Sequence, residues 1–180
     1  MHKRGFTLIE LLVVIAIIGM LSSVVLSNLN TARKKSRDAR RKQDIHEIQN
    51  ALALYYTDYG RYPSSAGASP AGTAPNTSWF NSANPSSWSI LQTALLPYIK
   101  TLPVDPSENN VGTEWASTGL HYSLYLGADD RGCTGGQYYM IVYQLEIAAG
   151  PDNGMLWCNG AVTQYGGAGT NTAVKTTGLK

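Results

Sequence analysis

The chain has 180 residues, room for one domain and an appendage, with 43% hydrophobic and 14% charged residues. Its formal charge of +2 hides an asymmetry: Arg33 to Lys42 carries seven Lys or Arg against Asp38, a local net of +6, while Gln43 to Lys180 carries five basic residues against ten acidic. No His/Cys spacing suits zinc, and there is no P-loop, dinucleotide fingerprint or G-x-S-x-G turn, so no residue is expected to be catalytic.

The N-terminus reads MHKRGFTLIELLVVIAIIGMLSSVVLSNL. Phe6 to Leu26 is a run of 21 residues, apolar apart from a few small or polar positions and Glu10. As a helix it is about 31 Å long, enough to cross a bilayer. Three readings compete: a secretory signal, a plain anchor, and a short leader whose removal leaves the apolar helix attached. A secretory signal favours a shorter apolar core and a small-x-small cleavage site, and LSSVVLSNLNTA has no convincing one. A plain anchor leaves Glu10 without a purpose, although an acidic side chain near the bilayer interior costs about 2.5–3.5 kcal/mol and needs a partner.

The residues Lys3, Arg4, Gly5, Phe6, Thr7, Leu8 and Glu10, ahead of an unbroken apolar run, resemble the class III leader and N-terminal helix of type IV pilins and type II secretion pseudopilins. The match covers roughly the first third of the chain, and the body resembles the family only in outline. The resemblance implies an α+β, pilin-like fold: a long N-terminal helix, membrane-spanning in its first half, packed on a small C-terminal antiparallel sheet. It implies cleavage between Gly5 and Phe6 by a prepilin peptidase and methylation of the new Phe6 amine. It also supplies the partner for Glu10, whose carboxylate would neutralise the Phe6 amine of a staggered neighbour, pairing two charges that are expensive alone in a low dielectric. Implied partners are further copies of the chain, the peptidase, membrane lipid before assembly, and an assembly platform with its ATPase. The implied location is a single pass through the inner membrane with the body outside the cytoplasm, followed by a periplasmic or extracellular filament.

Next comes RKKSRDARRK. Counted literally, the positive-inside rule places this collar in the cytoplasm, whereas the resemblance places the leader there. A solvated helix face meeting lipid phosphates or acidic patches on neighbouring subunits is one reading. Capture of a polyanion such as DNA through Arg33, Lys34, Lys35, Arg37, Arg40, Arg41 and Lys42 is the other, weakened by the lack of interleaved aromatic residues. Beyond the collar, Ile45, Ile48, Leu52, Tyr55, Tyr59 and Tyr62 follow spacings of three and four, an apolar stripe along a helix. Gly60 and Pro63 predict its end near Tyr59, and no proline interrupts Phe6 to Tyr59.

Pro63 to Asn84 reads as a long surface connection. SSWSILQTALLPYI predicts a short helix with Trp88, Leu91, Leu95 and Ile99 on one face and Ser86 or Ser87 as cap. TLPVDP is a rigid turn, resembling the LPxDP turn of pseudopilins without the Trp-Gly that often follows there. LHYSLYLG and QYYMIVYQLEI alternate as two strands of an antiparallel pair, with Tyr122, Leu124, Leu126 and Tyr139, Ile141, Tyr143, Leu145 on one face. A third strand is predicted at GMLWC, then a loose tail with an edge strand around Ala161–Gln164. The domain reading is therefore leader 1–5, spanning helix 6–27, stalk helix 28–60, connection with a short helix 61–119, and sheet region 120–180.

Export of the body implies a disulfide between Cys133 and Cys158, like the disulfide-closed end of many pilins, stabilising by about 3 kcal/mol in the chain-entropy picture. No cofactor is expected. Asp129 and Asp130 are the candidate calcium ligands, because similar Gly-Ala-Asp loops in major pseudopilins take part in a calcium site. The helix, the LPVDP turn and the GADD loop favour a secretion pseudopilin; the cysteine pair and the absent Trp-Gly favour a type IV pilus subunit. A DNA-binding minor subunit of an uptake machine and a monomeric anchored protein are the alternatives.

Overall fold

The computed structural model describes residues 6–63, 79–107, 120–126, 134, 136–147, 155–156, 159–160, 162–163 and 172–177. Gly5, Cys133, Cys158, Asp129 and Asp130 lie outside the described residues, and with them the expected leader cleavage, disulfide and calcium ligands. The chain divides between Ser36 and Arg37 into two compact units.

Helix α1 (Leu8–Tyr59) is continuous over 52 residues. It ends where predicted: Gly60 adopts a left-handed φ of 66°, and its N–H donates to the Tyr56 carbonyl at 2.8 Å. In the first unit the large apolar side chains from Phe6 to Leu29 are exposed. Among the described residues this is the one helix long and apolar enough to cross a membrane. Two of its hydroxyls are satisfied locally, Ser23 Oγ donating to the Met20 carbonyl and Thr31 Oγ1 to the Ser27 carbonyl.

The second unit opens with the rest of α1 and continues through strand β1 (Trp79–Asn81), helix α2 (Pro85–Leu95), strands β2 (Tyr122–Leu126) and β3 (Tyr139–Gln144), the short pair β4 (Met155–Leu156) and β5 (Val162–Thr163), and β6 (Thr172–Thr177). The main sheet is antiparallel in the order β1-β2-β3-β6, and β4 pairs with β5 in a separate two-stranded sheet. The fold is α+β and pilin-like. Two strands replace expected loops: β1 closes one edge, with Phe80 opposite Leu124, and β6 closes the other, with Val174 opposite Val142. The GMLWC strand forms, but outside the main sheet. At three and six residues, β1 and β6 lie in stretches too short or too rich in Thr and Ala to stand out by alternation.

The core joins Ile45, Ile48, Ala51 and Leu52 of α1 to Leu91 and Leu95 of α2 and to Tyr122, Leu124, Leu126, Tyr139, Ile141 and Tyr143 of the sheet. The predicted alternation is therefore observed. The opposite face is buried as well, through Ser123, Tyr125, Tyr138, Met140 and Val142, so these strands are covered on both sides. Tyr59 departs from the predicted stripe and is exposed, stacked on Tyr55 at 4.4 Å. The cap of α2 is Asn84 rather than a serine: its Oδ1 accepts the N–H groups of Ser86 and Ser87, with Pro85 in the first turn.

Candidate functional site

Two constellations stand out, one at the start of the apolar helix and one where the basic collar enters the body.

At the first, Thr7 is the N-cap of α1 and Glu10 sits three residues on. The Thr7 N–H and Oγ1 donate to Glu10 Oε2 at 2.8 and 2.7 Å, and the Glu10 N–H donates to Thr7 Oγ1 at 3.3 Å. This is a capping box, which satisfies amide donors that a helix end in an apolar medium could not leave bare. Glu10 thus has a partner inside its own chain, and among the described residues its Oε1 makes no hydrogen bond. The sequence placed Thr7 in the leader motif but its role as the cap was missed, although Thr-x-x-Glu ahead of an apolar run is the signal for it. Phe6, the residue before the cap, is exposed.

At the second, the collar divides. Arg41 is buried completely: Nε and Nη2 donate to Asp105 at 2.7 and 2.9 Å, and Nη1 donates to Asp38 at 2.7 Å and to Glu146 at 2.9 Å. Arg37 holds both oxygens of Glu146 from Nε and Nη2 at 2.6 and 2.5 Å. Asp38 accepts the N–H groups of Glu146 and Ile147 at 2.9 and 3.0 Å. Beside this cluster the Tyr122 hydroxyl donates to Asp44 at 2.7 Å. The helix is thereby fastened to the LPVDP turn, to the segment leaving β3 and to the start of β2.

Electrostatics follow from this packing. The hydrogen bonds from Arg37, and then those from Arg41, outweigh burial and hold the Glu146 carboxyl at about 2, well below its ordinary 4.5. Burial by itself would lower the Arg41 pKa; its bonds to Asp105, Glu146 and Asp38 raise it instead, so the guanidinium stays charged. Burial pushes the Asp44 carboxyl up, opposed by the Tyr122 hydroxyl.

These contacts correct the reading of the collar as one solvated or polyanion-facing row. Arg33, Lys34, Lys35, Arg40 and Lys42 are exposed, Arg37 is half-buried and Arg41 is inside. The helical period is the reason. Running the stripe Leu52, Ile48, Ile45 backward by steps of three and four lands on Arg41, then on Asp38 and Arg37. The acidic partners Asp105 and Glu146 come from distant segments and left no local signal. Among the described residues no group of three or more His, Cys, Asp or Glu is arranged to hold a metal.

Comparison with known proteins bears on both regions. The family model described as Prokaryotic N-terminal methylation motif matches residues 1–26. That described as Type II secretion system (T2SS), protein G matches residues 26–144, from the end of the apolar run through β3. The chain is 33% identical to type II secretion system core protein G of Pseudomonas aeruginosa over 131 residues, 72% of this chain and 87% of that protein. It is 33% identical to the Escherichia coli protein of that name over 118 residues, covering 60% and 69%. To the Aeromonas hydrophila protein it is 44% identical over 66 residues, covering 35% of this chain and under half of that relative, 46%. No solved structure matches the chain. An N-terminal methylation motif on an exposed apolar helix, continuous with a body matched by protein G, settles the choice between pilus subunit and secretion pseudopilin left open above: the chain belongs to the type II secretion system protein G family, the pseudopilins.

Proposed function

We propose that this pseudopilin is cleaved between Gly5 and Phe6 by a prepilin peptidase, methylated on Phe6, held in the inner membrane by the first part of α1, and polymerised into a secretion pseudopilus. Its role is structural, and its partners are copies of itself, the peptidase, membrane lipid and the assembly platform with its ATPase.

The observation that carries this reading is the state of Glu10. One carboxylate oxygen caps its own helix and the other makes no hydrogen bond among the described residues, on a side chain standing among exposed apolar residues. Cleavage creates a positive amine at Phe6. A neighbour's amine docking on Oε1 pairs both charges without giving up the cap, and so sets the stagger between adjacent helices. Burial of Arg41 and engagement of Arg37 weigh against the DNA-uptake alternative, because they remove two of the seven cations that it needs.

Mass spectrometry of protein extracted from membranes tests the processing step. The expected N-terminus is N-methylated Phe6; an intact leader, or a terminus elsewhere, would refute the proposal.

A further inference from the structure

The polar end of the apolar helix raises a separate question: what do the exposed cations of the first unit meet? The last large apolar side chains of that unit are Leu26 and Leu29, both exposed. Arg33, Lys34 and Lys35 follow four to six residues after Leu29, on the same helix and all exposed. Four residues of helix advance about 6 Å. That matches the depth of one headgroup layer, about 5–7 Å on each side of the hydrocarbon.

Direction matters as well as distance. Side chains of an α-helix lean toward its N-terminus, so these three lean back toward the apolar segment and not away from it. Their aliphatic stems can follow the helix while the charged ends sit among phosphates. Three consecutive residues step by about 100° each and so face more than half of the helix circumference. One protein neighbour or one nucleic-acid duplex meets a single side of a helix, whereas a ring of lipid headgroups meets every side. No aromatic residue lies between Arg33 and Lys42 to stack on bases. Arg37 and Arg41, which would have continued the basic row, are instead paired with carboxylates of the body.

We propose that Arg33, Lys34 and Lys35 form a binding site for anionic phospholipid headgroups, which fixes the depth of the helix in the leaflet while the subunit is stored in the membrane. This rests on the membrane-spanning reading of α1 above. Extraction into a filament then has to break these phosphate contacts, so the site sets part of the barrier to leaving the bilayer.

The full chain is reconstituted in vesicles of phosphatidylcholine, alone or with phosphatidylglycerol. Flotation reports membrane insertion, and spin-labelled lipids report the association of phosphatidylglycerol relative to phosphatidylcholine at the protein boundary. The wild type should float with both vesicles and favour the anionic lipid by about fivefold or more, a preference screened out by molar salt. The triple variant Arg33→Gln, Lys34→Gln, Lys35→Gln should still float, with the preference reduced to near one, while Arg40→Gln, Lys42→Gln keeps most of it. Flotation of the wild type without preference, an unchanged preference in the triple variant, or equal loss in the double variant overturns the proposal alone. So does displacement of the anionic lipid by a duplex oligonucleotide, which would favour nucleic acid as the ligand. Failure of the wild type to float with any vesicle overturns the membrane reading and this one with it.

Discussion

Arg41 and Asp105 face each other through two parallel hydrogen bonds of 2.7 and 2.9 Å, with both side chains completely shielded from solvent. One residue comes from the middle of a long helix and the other from a turn 64 positions later. Such a pair does not need to add net stability over an apolar substitute, but it cannot be broken on one side without leaving a charge buried and unpaired.

Arg41→Ala should therefore destabilise the body by about 3–5 kcal/mol. Arg41→Lys should recover only part of this, because an ammonium cannot reproduce the forked contact to Asp105 while also reaching Asp38 and Glu146. In a double-mutant cycle with Asp105→Ala, the combined loss should fall short of the sum of the single losses by about 1–3 kcal/mol. Chemical denaturation of the body checks all three values, and strict additivity would contradict direct coupling.

Two groups predict the acid response, each in a window with its own upper edge. Burial lowers the His121 pKa below 6.5, partly opposed by Asp105, and among the described residues its Nδ1 has no hydrogen-bond partner. The unfolded chain then takes up a proton that the folded one resists, so this contribution is present above pH 6.5 and is lost as pH falls below it. Glu146 is depressed to about 2, so its stabilisation is complete above 4.5 and is lost as pH falls from there toward 2. In pH-dependent unfolding, His121→Gln should flatten the loss that begins as pH falls below 6.5, and Glu146→Gln the loss that begins below 4.5. If each variant leaves the slope in its own window unchanged, these assignments fail.

Glu10 combines a local cap with a proposed intermolecular pair, and one substitution separates them. Gln at position 10 can still complete a capping box with Thr7, yet it carries no charge for a neighbour's amine. Glu10→Gln should enter the membrane and be processed normally but polymerise poorly. Sedimentation of sheared filaments reads the outcome, and wild-type yield from this variant would reduce Glu10 to a capping residue.

Packing along α1 gives a contrast within three residues. Leu52 is fully buried against the sheet, whereas Leu54 is 52% exposed. Leu52→Ala should cost about 2–5 kcal/mol and Leu54→Ala no more than about 0.5 kcal/mol, by thermal or chemical unfolding of the body. Equal losses at both positions would mean that the helix packs with a different face.

What the sequence determined by itself are the features written in local periodicity: the apolar span with its Glu10, the uninterrupted helix ending at Gly60, the inward face of Ile45, Ile48 and Leu52, and the alternation of β2 and β3. Each depends on residues a few positions apart, where the helical or strand repeat decides which side faces inward. The capping box was equally local and could have been read from Thr7 and Glu10. Only the tertiary structure decided the fate of the collar and the edges of the sheet. Arg41 looks like its exposed neighbours until Asp105 and Glu146 are brought to it from segments far along the chain. β1 and β6 are too weak in pattern to announce themselves and exist because β2 and β3 offer them hydrogen-bonding edges. Charge pairing and strand pairing are long-range choices, made when the chain closes on itself.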